Sequence, residues 1–133
     1  MATGEAATGD ELARSWAVQL VTHRPDGTTV PTAVNLATDG RRLFFRTYDR
    51  SGKARRLARN PAVAVRAADW RGRPSGPEIT AVAELLSGDD ADHAARLIDA
   101  KHPWFQRRLV RLGHRLMRYR TLHYELLLAP RTR

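Results

Sequence analysis

Leu43-Phe44-Phe45-Arg46-Thr47-Tyr48-Asp49-Arg50-Ser51-Gly52-Lys53-Ala54-Arg55-Arg56-Leu57-Ala58-Arg59-Asn60-Pro61 passes from an apolar, aromatic segment into a strongly basic one within a few residues. Leu43 to Thr47 has the composition of a strand, Ser51 is a good helix N-cap, and Pro61 prevents a helix from running further. The stretch therefore predicts a strand feeding a capped helix that begins near Gly52. The first N–H groups of such a helix have no partner within it, and its dipole presents positive charge at that end. Lys53 and the Ser51 hydroxyl lie beside them, so three attractions for an anion, a phosphate above all, fall on one small surface.

Upstream of this stretch, Trp16 to Thr22 has strand composition and Arg24-Pro25-Asp26-Gly27 reads as a turn with proline early and glycine last. A second arm, Thr29 to Ala37, runs to Thr38-Asp39-Gly40-Arg41, whose Asp-Gly pair predicts a tight hairpin into Leu43 to Thr47. Three sequential strands would then form a meander. Residues 1–10 read as a flexible arm leading into a helical turn at Glu11 to Arg14, and residues 11–133 as a single domain.

Downstream, Ala62 to Ala67 is a short strand, Asp69 to Pro77 a loop rich in Gly, Pro and Arg, and Ile79 to Leu86 a fifth strand centred on Val82 and Ala83. Asp89, Asp90 and Asp92 place acidic groups at the start of a helix that runs to about Lys101. A further helix, Pro103 to Tyr119, precedes a last strand, Thr121 to Leu128. Strands outnumber helices and most neighbours are joined by hairpins, so the expected class is mainly β: a small antiparallel barrel with helices packed on its outside.

Composition narrows the chemistry. With no cysteine among 133 residues, thiolate nucleophiles, disulfides and zinc–thiolate sites are excluded, and redox function requires a cofactor. The five histidines lie on different elements at spacings that suit no metal, so no metal site is expected. No apolar run is long enough to span a membrane, and the first residues lack a signal-peptide layout, which predicts a cytoplasmic protein. The formal charge of +9 favours anionic partners. Of the 23 basic residues 21 are arginine, however, and the chain is rich in alanine, a pattern of GC-biased coding that leaves many arginines as solvated surface.

Beyond the opening stretch, Arg24-Pro25-Asp26-Gly27-Thr28-Thr29-Val30-Pro31-Thr32-Ala33-Val34 and Gly72-Arg73-Pro74-Ser75-Gly76-Pro77 complete a pattern with Phe45-Arg46-Thr47, Ser51-Gly52-Lys53 and Arg59-Asn60-Pro61. In this pattern and in its order of elements the chain resembles the flavin/deazaflavin oxidoreductases of the pyridoxamine 5'-phosphate oxidase-like (FMN-binding split barrel) superfamily, in particular its small coenzyme F420-dependent branch. The resemblance covers about Val18 to Pro130. It implies a split β-barrel that forms a homodimer, with the cofactor, F420 or alternatively FMN, in a groove between the two copies. By the same resemblance Thr47, Ser51 and Lys53 would hold the cofactor phosphate, and Thr32, Val34 and Asn35 would line its ring system. Gly76 and Pro77 would approach the ring from the second subunit. A hydride would pass to a small-molecule acceptor with no protein nucleophile needed, and Arg50, Arg55, Arg56 and Arg59 could meet the acidic tail of F420, though a solvated helix face explains at least half of them. Relatives often carry aromatic residues where this chain has Asn35 and Glu78, which implies a more polar substrate pocket and transfers no substrate. Tyr48 is the nearest proton donor in sequence, although an aromatic residue after a strand more often packs.

Two other classes of function fit parts of the sequence. From Lys101 to Arg120 there are seven basic and no acidic residues. Phe105, Leu109, Leu112 and Leu116 recur at helical spacing beside an Arg108, Arg111, Arg115 and Arg118 stripe, which could track nucleic acid or an anionic membrane. The apolar face is explained as economically by packing on the barrel, and no base-reading motif accompanies it. A non-enzymatic cofactor-storage or scavenging protein on the same fold is the other, since a fold does not by itself establish catalysis. Trp16, Trp70 and Trp104 read as core or interface anchors, with Trp70 also placed to cover a cofactor ring.

Overall fold

Alternation of apolar and polar side chains sets which face of each strand is buried, and here it does so from the first strand onward. The computed structural model describes residues 9, 11–15, 17–69, 71–101 and 120–129. After a helical turn at residues 11–14 come β1 (Ala17–His23), β2 (Thr29–Val34), β3 (Ala37–Thr38), β4 (Leu43–Tyr48), α1 (Gly52–Arg59), β5 (Ala62–Ala68), β6 (Ile79–Leu85), α2 (Gly88–Lys101) and β7 (Thr121–Leu128). The predicted helix 103–119, the arm 1–10 apart from Gly9, and Trp16, Trp70 and Trp104 lie outside the described residues.

All seven strands form one antiparallel sheet in the order β2-β1-β5-β6-β7-β4-β3. The sheet curls into a half-barrel. Helix α1 packs against both β1 and β4, which stand near opposite ends of that order, and so fills the gap that a closed barrel would bridge with hydrogen bonds. Val18, Leu20, Phe45 and Val65 make the concave core with Leu57 of α1 and Tyr124 of β7. The rings of Phe45 and Tyr124 stack with centroids 5.0 Å apart and planes 8° from parallel.

A second, smaller core lies on the convex side. Phe44 faces away from Phe45 and is covered by α2 through Ala94 and Ile98, with Ala37 of β3 beside it. Polar contacts on the same surface fix α2 in place. Arg42 reaches Glu125 at 2.8 Å and Asp90 at 3.2 Å, and Arg46 reaches Asp99 at 2.6 Å.

The second arm departs from the expected continuous strand Thr29 to Ala37. It divides after Val34, and β3 pairs with β4 while β2 pairs with β1, so the three-strand meander does not form. Leu36 is buried in the concave core and Ala37 in the convex one, the ordinary alternation of a strand, but the pairing partner changes: Val34 is the last residue paired with β1 and Ala37 the first paired with β4. The chain thus passes from one end of the sheet order to the other at residues 35–36. The two predicted turns hold. Gly27 and Gly40 adopt φ of +89° and +97°, values that glycine reaches without strain, and Asp39 accepts from the Arg41 and Arg42 N–H groups at 2.9 Å each.

Candidate functional site

The start of α1 is held by side chains from three elements. Ser51 is the N-cap: its backbone is extended and its hydroxyl accepts from the Ala54 N–H at 3.0 Å. Thr47, near the end of β4, places its hydroxyl 3.0 Å from that of Ser51. Ser51 thereby satisfies the Ala54 donor, while helix geometry leaves the N–H groups of Gly52 and Lys53 without a carbonyl partner inside the helix. The three residues predicted from sequence to hold a phosphate, Thr47, Ser51 and Lys53, are therefore gathered at one turn.

The electrostatics of this turn are one-sided. Its first turn contains no acidic residue. Lys53 is half-buried, and burial, followed by the nearby Arg56 cation, lowers its pKa from the ordinary lysine value. A lysine held in a partly desolvated place beside a second cation is an arrangement that an anion would relieve. A phosphate offers acceptor oxygens for the hydroxyls, the helix N–H groups and the ammonium together. The donor set thus fits the phosphate of a flavin or deazaflavin cofactor.

Thr22 enters this region from β1. Its side chain is the one buried polar side chain among the described residues, and it accepts from Arg56 Nε at 2.6 Å while lying 3.4 Å from the Val30 carbonyl. From sequence Arg56 is grouped with Arg50, Arg55 and Arg59 as charge for an acidic cofactor tail and Thr22 has no role, because a contact across 34 positions leaves no local signal.

The remaining predicted residues are placed elsewhere. Thr32 is half-buried, with its hydroxyl 3.4 Å from the Leu20 carbonyl, and Val34 directs its side chain into the concave core. Asn35 is half-buried at the crossing between β2 and β3. Gly76 and Pro77 belong to the loop after β5, where the Gly76 carbonyl accepts from Arg66 Nε at 3.0 Å. Neighbouring Ser75 donates to the Ala67 carbonyl at 2.8 Å, so this loop folds back along β5 rather than toward α1 of its own chain. Tyr48 and Glu78 are exposed, as are Arg50, Arg55 and Arg59. On the far flank of α1 an apolar groove of about 750 Å³, lined by Leu57, Leu85 and Tyr124 among others, includes none of Thr47, Ser51 or Lys53.

Among the described residues no group of His, Asp and Glu is arranged to hold a metal ion, and no helix is long and apolar enough to cross a membrane.

Comparison with known proteins accounts for the half-barrel. The pyridoxamine 5'-phosphate oxidase family model matches residues 5–120, and the chain belongs to that family. No curated protein matches the sequence. Among solved structures, a protein of unknown function from Agrobacterium tumefaciens is similar with a TM-score of 0.69 and 21% identity, over 92% of this chain and 53% of its own. A heme binding protein from Mycobacterium smegmatis is similar with a TM-score of 0.61 and 20% identity, over 92% of this chain and 50% of its own. The chain thus spans about half the length of these two. An F420 reductase is similar with a TM-score of 0.56 and 21% identity, over 91% of this chain and 92% of its own. At these identities the likeness is one of fold.

Proposed function

We propose that the turn formed by Thr47, Ser51 and Lys53 binds the phosphate of coenzyme F420, with FMN as the alternative, and that the protein is an oxidoreductase that passes a hydride to a small organic acceptor. The observation that carries this reading is the convergence of two hydroxyls, a helix start and a partly desolvated lysine on one turn without a carboxylate. Family membership and the fold shared with an F420 reductase support the choice of cofactor class.

When bound, such a cofactor supplies the hydride carrier on its own ring. The work left to this chain is to bind, orient and exclude water. Thr47, Ser51 and Lys53 fix the phosphate end. Thr32, the backbone at Val34, and Asn35 fix the ring along β2, and Gly76 and Pro77 of a second copy close the groove in a homodimer. Holding an acceptor in near-attack geometry against that ring lowers the barrier without a protein nucleophile.

The test is titration of the purified protein with F420 and with FMN, followed by a turnover assay in which oxidation of the reduced cofactor is recorded against a panel of enones and imines. Saturable binding of either cofactor with acceptor-dependent oxidation supports the reading. Binding without turnover of any acceptor points to storage, and binding of neither removes it.

A further inference from the structure

The loop-to-helix stretch carries glycine at position 52, the first residue of α1, although nothing in its backbone conformation demands glycine: its φ is not positive. A side chain one turn later occupies the space beside it. A Cβ built on Gly52 would lie 2.8 Å from Arg56 Nη1, so the guanidinium of Arg56 occupies the space that a side chain at position 52 would take. Arg56 thus folds back along the helix toward its N-terminus, against the usual tendency of a cation to seek the C-terminal end of a helix dipole.

Something must hold it there, and Thr22 does. Thr22 is fully buried, and its hydroxyl has a single proton. Donated toward the Val30 carbonyl at 3.4 Å, that proton leaves a lone pair for Arg56 Nε–H at 2.6 Å. The guanidinium is then anchored at Nε, and its two terminal nitrogens remain as a fork beside Gly52 and Lys53. Two cations gathered at a helix start, with burial and then the Arg56 cation disfavouring the charge on Lys53, make a place for an anionic group.

Resting on the phosphate reading above, we infer that Arg56 is a further ligand of the cofactor phosphate, that Gly52 is small to admit it, and that Thr22 is the positioning residue that aims it. The ligand chemistry is a phosphate ester on a flavin or deazaflavin, and the two cofactors differ in what lies beyond that phosphate.

The experiment measures how much the phosphate contributes to binding, as the ratio of affinities for FMN and riboflavin and, in parallel, for F420 and its dephosphorylated ring compound. It uses the full chain and the variants Lys53→Ala, Arg56→Gln, Arg56→Lys, Thr22→Val and Gly52→Ala. Arg56→Gln is expected to lower the ratio about ten- to a hundredfold, the effect of losing a charge-assisted contact, while affinity for the phosphate-free ring stays unchanged and so reports an intact fold. Arg56→Lys keeps the charge without the Nε anchor and is expected to restore only part of the ratio. Thr22→Val and Gly52→Ala are expected to lower it without altering ring affinity, although neither removes a charge. A ratio that falls in Lys53→Ala but is unchanged in both Arg56 variants would overturn the inference and leave the phosphate reading standing. A wild-type protein that binds both rings as well without phosphate as with it would overturn both. Whichever cofactor pair shows the larger ratio identifies the phosphate source.

Discussion

Lys101, the last residue of α2, donates from Nζ to the backbone carbonyls of Leu36 at 2.5 Å and Ala13 at 2.6 Å. One ammonium thus joins the N-terminal helical turn, the crossing between β2 and β3, and the helix on the convex face. Burial lowers its pKa, so desolvation offsets part of what the two bonds contribute. Lys101→Met is expected to destabilise the protein by about 1–2 kcal/mol, given that the side chain is partly exposed. Urea denaturation of the variant against the wild type checks this.

Ser51 caps α1 and also belongs to the candidate phosphate turn, and two substitutions separate these roles. Ser51→Ala is expected to cost about 1 kcal/mol of stability through loss of the cap and to weaken cofactor binding as well. Ser51→Asp keeps a good capping acceptor but places a carboxylate at the anion position. It is expected to leave the thermal midpoint close to that of the wild type while reducing phosphate-dependent binding more than Ser51→Ala does. Melting curves with and without cofactor resolve the two effects.

The strand-to-helix stretch from Leu43 to Pro61 was legible because its signals are local: an apolar run, an N-cap, and a proline that ends the helix. The same holds for the Asp-Gly and Pro-Asp-Gly turns, the acidic start of α2 and the last strand, whose bounds match the reading. The division of Thr29 to Ala37 was not legible, since Val34, Leu36 and Ala37 continue an apolar pattern and the change of pairing partner from β1 to β4 is a long-range event that leaves no local signal. Thr47, Ser51 and Lys53 lie within seven residues and could be read as one site. Thr22 could not be joined to them, because only the curl of the sheet brings β1 to α1.

His123 gives a pH dependence whose sign follows from its surroundings. It stands opposite Arg46 in the β4–β7 ladder, and His123 Nε2 and Arg46 Nη2 are both buried without a hydrogen-bond partner. Burial, followed by the Arg46 cation, lowers the His123 pKa from 6.5, while Asp99 and Asp92 act in the opposite direction. The folded state therefore binds this proton less readily than the unfolded state. The contribution is present above pH 6.5 and is lost as pH falls through that value toward the lower folded pKa. His123→Gln is expected to flatten the stability profile between about pH 7 and pH 5, measured by urea midpoints across that range.

The Phe45–Tyr124 stack is the centre of the concave core, with Phe45 wholly removed from solvent. Phe45→Ala is expected to destabilise the fold by about 3–5 kcal/mol through lost burial and the cavity left behind. Phe44→Ala, on the convex side, is expected to loosen α2 first. Hydrogen exchange that rises in α2 before the strands distinguishes the second change from the first.

Lys53 is the residue on which the phosphate reading most directly depends, and calorimetric titration of wild type and Lys53→Ala with F420 and with FMN is the measurement that tests it. The account predicts saturable binding of one of these at one cofactor per chain, weakened about tenfold or more in the variant and more sensitive to salt in the wild type. Binding that is unchanged in Lys53→Ala, or absent for both cofactors, would contradict it.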